Sequence, residues 1–174
     1  MEERILDFLF AVAPALIVGL IAYYFFKTHT ANEEGRRRFL LHKDIQKDTV
    51  PMRLQAYERL TLFLERITPA KLIPRVKPSS QDPIAYENSL IKNIENEFEH
   101  NIAQQIYVSE ECWNVVLSSK NATIRLIRQT NMSDKIDTAD KLRETILSNL
   151  IEQPAPSSVG LQFVHREVKT LLGK

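Results

Sequence analysis

Residues 51–67 read PMRLQAYERLTLFLERI, and their apolar positions Leu54, Tyr57, Leu60, Leu64 and Ile67 recur at intervals of three, three, four and three. A period this close to 3.6 predicts an amphipathic α-helix. Glu58-Arg59-Leu60 returns seven residues later as Glu65-Arg66-Ile67, which keeps a charged pair on one flank and an apolar residue on the seam, as in a coiled coil. Two heptads also suit packing against the protein's own helices, since only sustained repeats are diagnostic. On the association reading, Tyr57, Leu60, Leu64 and Ile67 are the partner-binding residues.

Upstream, residues 27–50 are polar and charged, with Leu41 and Ile45 four apart. This pattern predicts a helical juxtamembrane stalk, with Gly35 a point of interruption and Pro51 a break or restart. Before it, Phe8 to Phe26 form nineteen residues without a formal charge, FLFAVAPALIVGLIAYYFF. An α-helix of that length reaches roughly 28 Å, which matches the ~30 Å hydrocarbon core of a bilayer. Tyr23 and Tyr24 sit at one end beside Lys27, where amphipathic rings suit the headgroup boundary. Pro14 and Gly19 are tolerated in membrane helices. A cleaved leader needs a basic start, a shorter apolar core and a small-residue cleavage site, whereas this start carries Glu2, Glu3 and Asp7 and the run exits through Tyr-Tyr-Phe-Phe-Lys. An uncleaved transmembrane helix over 8–26 is therefore expected, with Asp7 reaching the headgroups.

Only Arg4 is basic before the run, while Lys27, Arg36, Arg37, Arg38, Lys43 and Lys47 follow it. Basic residues are retained on the cytoplasmic side, so residues 1–7 are expected outside and the part that follows the span in the cytoplasm. The lone Cys112 agrees with a reducing compartment and excludes an internal disulfide framework.

Downstream, Pro69, Pro74, Pro78 and Pro83 fall within fifteen residues, together with Ser79 and Ser80. They predict an extended connector over 69–83. Beyond it, Leu90, Ile91, Ile94, Phe98, Ile102 and Ile106 form a second helical stripe. Ser109, followed by Glu110 and Glu111, reads as the N-cap of a helix running toward Asn131. Asp137 or Thr138 caps the next helix, which Pro154 and Pro156 end, and Ser157 or Ser158 caps a last one closed by Gly173. Residues 84–174 thus make a small helical bundle.

The overall composition narrows the function. The chain has 174 residues, 23 Lys plus Arg against 22 Asp plus Glu, and a net charge of +1, which gives no electrostatic footprint for a DNA binder. Four scattered glycines supply no phosphate-cradling loop or dinucleotide fingerprint.

Glu97 and His100 make one Glu-x-x-His, the spacing that lets a carboxylate and an imidazole share a metal in ferritin-like bundles. His29, His42 and His165 do not supply the second motif such a site needs, so a solvated glutamate face is the expectation. Cys112 at a helix start invites a reactive thiol, but Glu110 and Glu111 disfavour thiolate, and a packed residue beside Trp113 is expected. Ser118-Ser119-Lys120 shows no general-base arrangement. Arg36, Arg37 and Arg38 with Lys27 fix topology or meet anionic headgroups, with Glu33 and Glu34 diluting the patch.

At NEEGRRRFLL and PMRLQAYERLTLFLERITPAKLIPRV the chain resembles an uncharacterised family of bacterial proteins, found mainly in the Bacteroidota, with one N-terminal membrane helix and a helical soluble part. The resemblance covers most of the chain and implies a bacterial inner-membrane location, with no catalytic residue to carry over.

The expectation is an all-α, single-pass membrane accessory or scaffold protein, not an enzyme, without cofactor. Its partners are the bilayer and either a membrane complex or further copies of itself. The alternative is a membrane-tethered binder of anionic lipid or RNA that uses the basic cluster.

Overall fold

In the computed structural model the backbone is described for residues 2–173, and the side chains for residues 12–27, 33, 36, 37, 40, 49–151 and 153–173. Among the described residues the fold is all-helical, with six α-helices, one 3-10 turn and no strand. They are α1 (Glu2–Ile67), α2 (Pro69–Arg75), α3 (Pro83–Glu99), the 3-10 turn Ile102–Ile106, α4 (Glu110–Asn131), α5 (Ala139–Glu152) and α6 (Ser157–Leu171). The chain divides into two units, Met1–Thr49 and Val50–Lys174.

The first unit is helical from Glu2. From Leu16 to Phe26, where its side chains are described, the large apolar residues are exposed on every side, with Leu16, Ile17, Leu20, Ile21 and Phe25 all open and Tyr24 reaching 74% exposure. Lys27 Nζ lies 5.9 Å from the centroid of the Tyr23 ring. Among the described residues no helix is long and apolar enough to cross a membrane. The expected span begins at Phe8, and the side chains of residues 8–11 lie outside the described residues.

The second unit is built on the C-terminal part of α1. Ala56, Tyr57, Leu60, Phe63, Leu64 and Ile67 are all buried there, along the seam that the heptad-like spacing marks out. They join one core with Leu72 and Ile73 of α2, Tyr86, Leu90 and Ile94 of α3, Val116 and Ile127 of α4, Leu142 and Ile146 of α5, and Val164 of α6. Helix α4 packs against α3, α5 and α6. Its amino end is capped as the sequence indicates: the Ser109 hydroxyl accepts from the Cys112 N–H at 3.0 Å, with Glu110 and Glu111 in the first turn. Thr138 caps α5 in the same way at 3.2 Å.

Gly160 is where α6 requires a glycine. A Cβ there would stand 2.8 Å from Ser119 Oγ and 3.0 Å from both Leu64 methyl carbons, so the close approach of α6 to this core depends on the missing side chain.

Four local expectations are corrected. Helix α1 runs through Gly35 and Pro51 without a break. A proline removes one backbone hydrogen bond, and Pro51 sits at the division between the two units, just before the stretch whose burial holds the helix together.

The 69–83 connector is half helix. Pro69 opens α2 at its amino end, where its missing N–H costs nothing, and Leu72 and Ile73 are buried in the core. Even the remaining segment is pinned, since the Tyr86 hydroxyl donates to the Val76 carbonyl at 2.9 Å and the Ala139 N–H to the Gln81 carbonyl at 2.9 Å. The compact unit consequently starts at Val50 and not at residue 84.

The stripe from Leu90 does not continue as α-helix to Ile106. The Asn101 carboxamide turns back to donate to the Glu97 carbonyl at 2.7 Å, α3 ends at Glu99, and the chain tightens into the 3-10 turn with Ile102 and Ile106 exposed.

Finally, α6 starts without a serine cap. Pro156 holds the N-cap position, and the Ser157 hydroxyl instead pairs with Thr68 Oγ1 at 2.7 Å, tying α6 to the α1–α2 turn.

Candidate functional site

The four residues assigned to partner binding, Tyr57, Leu60, Leu64 and Ile67, are buried in the chain's own core, none more than 1% exposed. Association through their side chains is therefore not available in the folded unit, which corrects the assignment. Heptad spacing announces that a helix has an apolar seam, and here the neighbours that cover it come from the same chain. Phe63 meets Phe98 of α3 with ring centroids 5.8 Å apart, and Phe98 stacks on Trp113 of α4 at 5.4 Å. The Tyr57 hydroxyl accepts from Arg53 Nη2 at 3.1 Å, while Arg53 Nε donates to the Tyr107 carbonyl at 3.1 Å. Burial raises the Tyr57 phenol above its ordinary range, with the Arg53 hydrogen bond opposing the shift.

Of the basic residues, Lys27, Arg36 and Arg37 are exposed, and Arg36 Nη1 lies 3.8 Å from Glu33 Oε1. The side chains of Arg38, Lys43 and Lys47 lie outside the described residues.

The Glu-x-x-His pair is not brought together around a metal. Glu97 Oε1 accepts from Arg66 Nε at 2.8 Å, with Arg66 Nη2 2.6 Å and Arg75 Nη2 3.7 Å away, so α3 is clamped to α1 and α2 by a carboxylate between two guanidiniums. His100 is exposed at the carboxyl end of α3. Among the described residues no group of three or more His, Cys, Asp or Glu is placed to hold a metal ion.

Cys112 is fully buried, and its thiol is pushed far above the ordinary range, first by burial and then by the Glu167 carboxylate to which it donates. It is held as a thiol, which opposes reactivity.

The Ser118-Ser119-Lys120 run resolves into an unexpected element of the interior. Lys120 is nearly buried, its Nζ donates to both Glu95 oxygens at 2.7 and 3.0 Å, and it lies 4.6 Å from the centroid of the Phe98 ring. A charge so enclosed is retained only when paired, and Glu95 with the aromatic face supplies the partner. Sequence spacing gave no sign of this pair, because Glu95 is 25 positions away and lies off the apolar stripe.

Among the described residues the protein is thus all-helical, the seam of α1 is covered by the chain's own core, and an unbroken stretch of exposed apolar side chains runs along the helix from Leu16 to Phe26. A family model described as "Family of unknown function (DUF7935)" matches residues 3–171, and the chain belongs to that family. No curated protein and no solved structure matches the chain.

Proposed function

We propose that the chain is a non-enzymatic, single-pass accessory or scaffold protein of a bacterial inner membrane, of the kind found in the Bacteroidota. In this reading Phe8–Phe26 is the anchor, the amino terminus is periplasmic and the following helices are cytoplasmic. Those helices bind a membrane complex or further copies of the chain.

One observation carries the reading. From Leu16 to Phe26 the large apolar side chains are exposed on all sides of the helix. A helix apolar all round is stable only when enclosed, by lipid or by protein, and a continuous apolar exposure of this size marks such a contact. The uncharged run of nineteen residues and the basic residues after it favour lipid as the enclosure and the cytoplasm as the side of the bundle.

The test is fractionation. The full chain is expected to resist alkaline carbonate extraction, deletion of residues 8–26 to release it, and a carboxyl-terminal tag to be protected from protease in intact spheroplasts. Carbonate release of the full chain, or digestion of that tag, would overturn the anchor and its orientation. Extraction in mild detergent should yield an oligomer or a co-purifying protein, and a lone monomer would overturn the scaffold role. Membrane retention lost on neutralising Arg36, Arg37 and Arg38 would favour the anionic-lipid or RNA reading instead.

A further inference from the structure

We draw no further inference here: the strongest candidate, the cleft between the amino end of α4 and α6 that is lined by Ser109, Glu111, Phe163, Arg166, Glu167 and Thr170, rests on two carboxylates at a helix N-terminus, one of which already accepts from the Cys112 thiol, and nothing in the structure shows what occupies it.

Discussion

Leu20 and Leu64 belong to the same helix, α1, yet Leu20 is 68% exposed and Leu64 is fully buried. Around Leu20, from Leu16 to Phe26, apolar residues occupy every side of the helix. Around Leu64, they alternate with Glu58, Arg59, Glu65 and Arg66, which leaves one face for the core and one for water. The amount of apolar side chain does not distinguish the two stretches; its distribution around the axis does. A narrow stripe can be covered by a few neighbouring helices of the same small unit, while an unbroken cylinder of apolar surface requires an apolar surround.

The largest test of this difference places the same charge in both stretches. Leu64→Asp buries a carboxylate among Gly160 and Ser119 with no basic partner provided, and is expected to abolish folding of the 50–174 unit, at a cost on the order of 4–5 kcal/mol. Leu20→Asp should leave the melting curve of that unit unchanged and weaken membrane retention, since an acid at the centre of a span costs about 2.5–3.5 kcal/mol. Circular dichroism melts and carbonate fractionation of both variants read the two effects, and a lowered melting temperature in Leu20→Asp would break the comparison.

The glycines give a smaller version of the same contrast. Gly160→Ala forces Leu64 and Ser119 apart and should destabilise by about 1–3 kcal/mol in chemical denaturation. Gly19→Ala has nothing within 4 Å of the added methyl, so no loss is expected.

The smallest effect is in pH. The Cys112 thiol is raised from its ordinary 9.0, and the Tyr57 and Tyr86 phenols from 10.0, each chiefly by burial. The folded unit therefore keeps protons that the unfolded chain releases, so stability is fully present below pH 9 and falls as pH rises above it. Cys112→Ala should remove the earliest part of that decline, leaving the portion that starts near pH 10 from the tyrosines. Urea midpoints measured between pH 8 and 10.5 check it, and a decline starting just above pH 9 in the alanine variant would show the thiol is not its source.

Much of the helical layout was legible in the residues. Ser109 and Thr138 cap the helices they were expected to cap, α4 ends at Asn131, and Gly173 takes a positive φ of 70° just beyond α6. These are signals carried within one turn of chain, where a short polar side chain or a glycine satisfies its own neighbours. The proline-rich stretch misled for a related reason. Pro69 stands at the first position of α2, where proline favours the turn, and Pro74 falls one residue before the end of α2, where little helix is left to break. Asn101, which ends α3 early, gave no such warning, because its effect depends on its side chain folding back onto Glu97.

Of the candidate site, the sequence by itself determined the helical class, the caps, the apolar run and the position of the α1 seam, since periodicity and capping are properties of adjacent residues. Only the tertiary structure decided that Tyr57, Leu60, Leu64 and Ile67 face inward, that Glu97 serves Arg66 and Arg75, and that Lys120 finds Glu95. An apolar stripe or a polar side chain states what it needs. Which group meets that need depends on chain segments tens of residues away, and only packing brings those together.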